Sequence, residues 1–356
     1  MFYPISSNIH LSEIEYKKYA RHLILDNIGI NGQKRFKATK VLFVGAGGLA
    51  ASSIIYLVAA GIGYLGIIDN DIVTYSNLHR QILYNYKDVG KLKVEVIRCK
   101  VKEMNSECCV STYSFMLNKE NCGDIIKNYD IIIDTTDNFK SRYVISRSCY
   151  LHHKIHVYGA VRAFEGHISV FNYKGGPLYS DLYPINLNLH NNECNGLGVL
   201  GILTGIIGIF QAIEVIKIIL GTGSTLSGYL LVYNLLNASA KKIKICPKKN
   251  KNLISNKFSN KYIYLNCINN SDLLVMSQTS NVVMIDVRKR EEFFKYHISK
   301  SINIPLKNIN SKTIVHFANF YCNNKSIVVY CYDNFRSFIA SQILFKKHIN
   351  HYVLNN

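Results

Sequence analysis

The sequence predicts an α/β protein in two parts, and three observations carry that prediction. A short apolar run, Lys40–Val44 (KVLFV), leads through a glycine-rich turn into an apolar helical stretch and then a second apolar run ending at Asp69. Further runs of strand length follow, among them YDIIIDTTDN, HVYGA and HISVFNY. After a lysine-rich tract the strand and helix patterns begin again, and a chain of 356 residues is long enough for two domains.

In chain order, Glu13–Ile24 reads as an amphipathic helix. KVLFV, the turn, SSIIYLVAAG and YLGIID form a βαβ unit, the start of a Rossmann-like sheet. A third strand, YDIIIDTTDN, carries Asp134 and Asp137 at its C-terminal end, where such sheets bind ligands. Asn195–Ile213 contains five glycines and no formal charge. It is nearly long enough to span a bilayer. The polar residues that follow make it a buried helix whose glycines allow close packing against another helix, and no membrane partner is expected. Lys241–Lys261 holds eight lysines and no acid, and reads as a flexible linker, solvated or docking. Beyond it NVVMIDVR and SIVVYC are buried strands and SFIASQILF a helix. The expected division is residues 1–245, a basic linker 246–270, and a small α/β domain 271–356.

Hydrophobic residues make up 48% of the chain, enough for a large core and against global disorder. The net charge of +19 suits an anionic partner such as a nucleotide, a nucleic acid or an acidic protein. It is also what a bias toward Asn, Ile, Lys and Tyr produces. The first twenty residues lack the apolar core of a secretory leader. The ten cysteines are therefore expected as free thiols in a reducing compartment.

Gly45-Ala-Gly47-Gly48-Leu-Ala50, after a strand and before a helix, is a phosphate-site pattern. Its glycines admit a phosphate to the backbone, and a helix N-terminus favours the anion. Asp69 is placed to accept hydrogen bonds from ribose hydroxyls. An NAD-dependent dehydrogenase would show the same features. Ser76-Asn77-Leu78-His79-Arg80-Gln breaks the tie.

The stretch IDNDIVTYSNLHRQILYNYKDVGKLKVE resembles the nucleotide-binding segment of ubiquitin-activating-enzyme-like adenylyltransferases. It is most similar to the branch that activates the sulfur carriers of molybdopterin and thiamine synthesis. DTTDNFKSR, GAVRAFEGHISVF, CNGLGVLGILTGIIG and QAIEVIK continue the match over roughly residues 12–245. The resemblance implies ATP as substrate, with Arg80 and Lys93 on the phosphates, Asn77 helping to hold the nucleotide, Asp137 as a Mg²⁺ ligand and Asn138 beside it. Bringing a carboxylate to a triphosphate needs this concentrated positive charge. Arg21, in YARH, matches an arginine that the family supplies from a partner subunit, which implies a homodimer. Cys194 matches a mobile-loop cysteine able to form a thioester or acyl disulfide with the activated carrier; an inert buried Cys is the alternative. The family also carries two CxxC pairs on a structural zinc. Here the equivalent positions are Leu178 and Asp181, and only Cys246 appears at the second pair, so the zinc is expected to be lost.

IDVRKREEF, HISKSINIPL and CYDNFRS resemble a rhodanese domain, a sulfurtransferase module. In such loops successive N–H groups surround the cysteine sulfur, an anion nest for Cys331 as thiolate or persulfide. Arg336 is expected to add positive charge, and Asn334 stands where a glycine is usual. The reading is an ATP-dependent adenylyltransferase fused to a sulfurtransferase. It acts on the C-terminal glycine of a small ubiquitin-like sulfur carrier and takes sulfur from a persulfide donor. Molybdenum cofactor synthesis is the expected pathway, with thiamine synthesis or tRNA thiolation as alternatives, and a non-catalytic scaffold as the rival. No nucleic acid partner is expected. Composition and the missing leader fit a plastid protein, with a bacterial-type cytoplasm as the alternative.

Overall fold

The computed structural model describes residues 9–184, 198–246, 266–279, 281–309, 314, 317, 325–332 and 335–354; Cys194, Asn334 and most of the expected linker lie outside them. The chain divides into two compact units, each built on its own sheet.

The first unit opens with a helix that the sequence runs together and the structure breaks. Ser12 and Glu15 form a reciprocal capping box that starts α1 (Glu13–Lys18). At Tyr19 the backbone leaves helical geometry, with φ −99° and ψ 14°, and α2 (Ala20–Leu23) follows. The break lets the Tyr19 ring bury and its hydroxyl accept a hydrogen bond from Asn105 Nδ2 at 3.3 Å. After α3 (Gly29–Ala38) the chain enters β1 (Lys40–Val44) at the expected residues. Helix α4 (Gly48–Ala60) begins inside the glycine turn, and Gly61, at φ +96°, ends it.

The sheet then grows outward on both sides of β1. On one side lies β2 (Tyr64–Ile68), then α5 (Lys93–Met104) and β3 (Cys109–Tyr113). On the other, α6 (Cys122–Ile126), β4 (Ile131–Asp134), α7 (Phe139–Leu151) and β5 (Ile155–Arg162) follow in turn. The next elements are β6 (Glu165–Phe171), α8 (Tyr179–Leu182), α9 (Gly201–Leu220), β7 (Tyr229–Asn234) and β8 (Ser239–Lys244). The strand order is β3-β2-β1-β4-β5-β6-β7-β8. Strands β3 to β5 are parallel, and the last three are added antiparallel. Val41, Leu42, Phe43, Ile131, Ile132 and Ile133 are fully buried, as expected for parallel strands covered on both faces.

Among the described residues α9 is the one helix long and apolar enough to cross a membrane. It lies instead against α4 and the sheet, with Gln211 and Glu214 buried and hydrogen-bonded. Ser52 and Ser53 of α4 donate to the carbonyls of Gly205 (2.9 Å) and Gly208 (2.5 Å). A Cβ on Gly208 would stand 2.2 Å from the Leu49 carbonyl oxygen, so the helices approach at a spacing only glycine permits there.

Two boundaries are corrected. Lys241, Lys242 and Lys244 belong to β8, an exposed edge strand, not to a linker; lysines on an edge protect it from further pairing. The second unit begins before residue 271, because β9 (Asn266–Ile268) pairs with the last strand of its sheet. That unit continues through α10 (Asn270–Thr279), β10 (Val282–Asp286), α11 (Arg290–Lys295) and β11 (Ile302–Asn303). It closes with β12 (Ser326–Tyr330), α12 (Phe335–Lys346) and β13 (Tyr352–Leu354), in an all-parallel sheet ordered β11-β10-β12-β13-β9.

Candidate active site

Beyond the carboxyl ends of β1, β2 and β4 lies a cavity of about 700 Å³. Its floor is the glycine turn. Gly45 has φ +100°, a conformation L side chains rarely adopt, and a Cβ there would meet Thr135 at 2.9 Å. Gly47 and Gly48 follow, and the N-terminus of α4 points into the cavity's glycine-lined wall. Asp69, one residue past β2, is fixed by two backbone donors: Ala46 N–H to Oδ2 (2.7 Å) and Asp71 N–H to Oδ1 (2.8 Å). Burial raises its pKa, and Lys93 with these two N–H groups works against that rise.

The segment after Asp69 supplies the cations. Arg80 donates from Nη1 to the Ser76 carbonyl at 2.8 Å. Its backbone is pressed against α9: a Cβ on Gly201 would lie 2.4 Å from the His79 carbonyl oxygen, and Thr204 Oγ1 sits 3.4 Å from the Arg80 carbonyl. Lys93 opens α5, is buried, and pairs with Asp71 Oδ2 at 2.7 Å. At the end of β4, Thr135 ties the strand to the glycine turn through Val44 and Gly45 carbonyls (2.9 and 2.8 Å). Asp137 is exposed to the cavity, and Asn138 caps α7 by accepting from Ser141 N–H at 2.9 Å.

Of the residues expected here, Gly45, Gly47, Gly48, Asp69, Asn77, His79, Arg80, Lys93, Asp137 and Asn138 line the cavity. Ser76 and Leu78 do not: Ser76 supplies the carbonyl that holds Arg80, and Leu78 packs on the core. Arg21 is exposed on α2 and is not among the lining residues of this chain. Cys194 lies outside the described residues. Asp71, Gln81, Thr135, Thr136, Phe115 and Arg162 also line the cavity, and none of them was expected there. Asp71 stands two residues after Asp69, Thr135 and Thr136 sit within DTTDN, and Arg162 lies in GAVRAFEG, so motif context could have found them. Phe115 follows β3, a strand that the sequence reading did not see.

The donors suit Mg²⁺. It takes oxygen ligands and is held by one or two carboxylates together with phosphates, which fits Asp137 and a cavity with no ready-made cluster of metal ligands among the described residues. Bound there, the ion would neutralise phosphate charge. A structural zinc does not fit its expected position. Leu178 is buried, Asp181 Oδ2 accepts from the Leu178 N–H at 2.9 Å, and Cys246 is exposed. Tyr179, Tyr183 and Ile245 instead pack with Tyr158 and Phe171 into an aromatic cluster that holds this segment.

In the second unit Cys331 directly follows β12 and is fully buried. The Ser337 N–H, in the first turn of α12, donates to its sulfur at 3.3 Å, and Ser337 Oγ lies 3.5 Å away. A helix N-terminus favours an anion at this position. Arg336 does not serve as a lone cation there: it grips Glu292 of α11 with two bonds, Nη1–Oε2 at 2.5 Å and Nη2–Oε1 at 2.8 Å. Asn334 lies outside the described residues.

A glycine-turn nucleotide cavity on a mixed sheet, followed by a separate unit presenting a cysteine at a helix N-terminus, defines a nucleotide-dependent enzyme class with an appended thiol domain. The chain belongs to the ThiF family, which matches residues 19–255, and residues 269–356 match the rhodanese-like domain. It is similar to a "Probable molybdopterin-synthase adenylyltransferase" of Gracilaria tenuistipitata var. liui, 62% identical over 355 residues and 100% of both chains. It is also similar to an "Adenylyltransferase and sulfurtransferase MOCS3" of Aedes aegypti, 37% identical over 84% of this chain and 74% of that one. Among solved structures, E. coli MccB with ATP shares the fold at TM-score 0.58 and 20% identity, over 69% of this chain and 74% of that one.

Proposed function

We propose that the chain adenylylates the C-terminal glycine of a small ubiquitin-like sulfur carrier, most fittingly the small subunit of molybdopterin synthase, and then delivers sulfur to it from Cys331. The observation that carries this reading is the meeting of Arg80, Lys93 and Asp137 in one cavity over the Gly45–Gly48 turn. The relatives named as adenylyltransferases and sulfurtransferases support it. The carrier carboxylate attacks the α-phosphorus of ATP. The bond to the bridging oxygen breaks, and pyrophosphate leaves with the electron pair. Arg80 and Lys93 bear the negative charge gathered on the phosphates, and Asp69 orients the ribose. Lys93 must trade Asp71 for a phosphate oxygen, an exchange between anionic partners that leaves its charge paired throughout.

The active form in this reading is a homodimer in which each cavity borrows Arg21 from the partner. Arg21 is exposed, and Ile14, Ile24, Leu25 and Ile30 around it expose apolar surface. The sulfur source is a persulfide. The plastid stroma is the proposed location, on the compositional bias, with a bacterial-type cytoplasm as the alternative.

The test is carrier-dependent ATP–pyrophosphate exchange. Wild-type protein exchanges label only when the carrier keeps its terminal glycine. Arg80→Ala loses about 10²- to 10³-fold, the scale for removing one charge-stabilising contact. Near-normal exchange in that variant sinks the assignment, and a carrier that binds without any exchange identifies a scaffold.

A further inference from the structure

Asp137 is placed by its neighbours rather than by bonds of its own. Its carboxylate is exposed to the nucleotide cavity, and Asn138 Nδ2 reaches it only at 3.4 Å. The residue before it is held at each of its polar groups. The Thr136 N–H (3.0 Å) and Oγ1 (2.7 Å) both donate to the buried Asp134 Oδ1, and the Thr136 carbonyl accepts from Arg142 Nη2 at 2.6 Å. The residue after it, Asn138, caps α7, and its carbonyl accepts from the Arg142 N–H at 3.4 Å. Arg142 therefore grips the chain on both sides of Asp137, with its side chain before and its main chain after.

This contact is made by an expensive group. Arg142 is buried, with its guanidinium carbon 5.4 Å from the centre of the Tyr158 ring and 5.7 Å from that of Phe139. Burying a cation is unfavourable unless opposite charge accompanies it, and here the Asp134 carboxylate supplies that charge from the other side of Thr136. The turn thus lies between a buried anion at its N–H and a buried cation at its C=O, and the peptide dipoles on either side of Thr136 both point the favourable way. The Thr136 carbonyl belongs to the planar peptide that carries the Asp137 N–H. Fixing that oxygen fixes the direction in which the Asp137 side chain leaves the backbone.

We propose that Arg142 is a positioning residue for the divalent cation of the nucleotide site: through the Thr136 carbonyl it holds the Asp137 carboxylate ready for the metal that accompanies the triphosphate. This rests on the adenylylation reading above. Arg142 is not among the residues that line the cavity, so it acts only through the turn. Groups that orient a metal ligand without touching the metal contribute about ten- to a hundredfold to its affinity.

The experiment uses Mn²⁺ as the probe. Its affinity is read by electron paramagnetic resonance in the full chain saturated with α,β-methylene-ATP, which cannot lose pyrophosphate, and the analogue's own affinity is measured with metal chelated. Arg142→Met keeps the bulk and removes the donor. It is expected to weaken Mn²⁺ about tenfold and to change metal-free analogue binding less than about twofold, since the glycine turn, Arg80 and Lys93 are untouched. A bare charge effect would run the other way, because removing a cation favours Mn²⁺. Asp137→Asn should weaken Mn²⁺ at least as much, and Arg142→Met on that background should add less than about twofold, since both act through one carboxylate. Additive losses, equal losses of Mn²⁺ and metal-free analogue, or wild-type Mn²⁺ affinity in Arg142→Met overturn the proposal. If Arg142→Met does not fold, Arg142→Lys decides. It keeps the charge between the rings but loses the planar fork that meets the Thr136 carbonyl, so Mn²⁺ should weaken at least about threefold. Wild-type affinity in that variant overturns the proposal. Wild-type protein without carrier-dependent pyrophosphate exchange overturns the adenylylation reading, and the proposal with it, whereas normal exchange together with normal Mn²⁺ binding in the Arg142 variant overturns the proposal alone.

Discussion

Lys93 enters the nucleotide cavity already paired, and that pairing shows how the site balances charge. Arg80, Lys93 and Arg162 face Asp69, Asp71 and Asp137 among the described lining residues, three of each sign. Behind them a fully buried pair, Asp134 Oδ2 with His156 Nε2 at 3.1 Å, holds the end of β4. Asp134 also accepts from Thr136 N–H and Oγ1, the residue that leads into Asp137. Burial pushes the Asp134 pKa up, but the His156 bond, with Arg142 and Thr136, brings it below the usual carboxylate range. A depressed carboxylate stabilises the fold above its unfolded pKa and loses that contribution as pH falls through the folded value. His156→Leu removes one partner of a buried charge and should cost about 3 kcal/mol. Thermal melts check this, and the acid limb of stability should move to higher pH in the variant. A variant melting with the wild type would show that the pair contributes little. Asp134 and Asp137 were legible at this scale because they sit in a motif. His156 was not, since a histidine in an apolar strand gives no sign of its partner before the sheet brings β4 and β5 into register.

At the scale of elements, β1, β2 and β4 were legible as apolar runs, whereas β3, β8 and even the apolar β7 (YLLVYN) were not expected. β1, β2 and β4 are buried on both faces, so apart from Lys40, Tyr64, Gly66 and Asp134 they consist of Val, Ile, Leu and Phe. β3 (CVSTY) and β8 (SAKKIK) are edge strands of the large sheet, and edge strands tolerate polar residues, so composition hides them. Close packing of α9 on another helix was legible from its glycines, though not that the helix is α4 nor which glycines matter. A Cβ on Gly208 collides with the Leu49 carbonyl oxygen, whereas one on Gly205 meets nothing within 4 Å. Gly208→Ala should therefore destabilise by about 1–3 kcal/mol through overpacking. Gly205→Ala should gain up to about 1 kcal/mol from helix propensity. Chemical denaturation of the two variants tests the contrast, and equal effects would mean that the helices can slide to absorb the new methyl group.

At the scale of the whole molecule, both chemistries were legible in their motifs, whereas the interior of the cysteine site was not. Nothing in CYDNFRS says that Arg336 is held by a glutamate 44 residues earlier. The shared-site reading of the dimer makes its own prediction. Mixing Arg21→Ala with Arg80→Ala protein should restore part of the exchange activity, because one hybrid cavity then carries both arginines. No rescue after proven subunit exchange would count against it. The central claim is that activation and sulfur delivery occupy different units of one chain. It is tested most directly by measuring pyrophosphate exchange and carrier thiocarboxylate mass on one preparation of Cys331→Ala. The account predicts wild-type exchange with thiocarboxylate formation abolished, since the two steps use different sites. Thiocarboxylate made at the wild-type rate by that variant would contradict it.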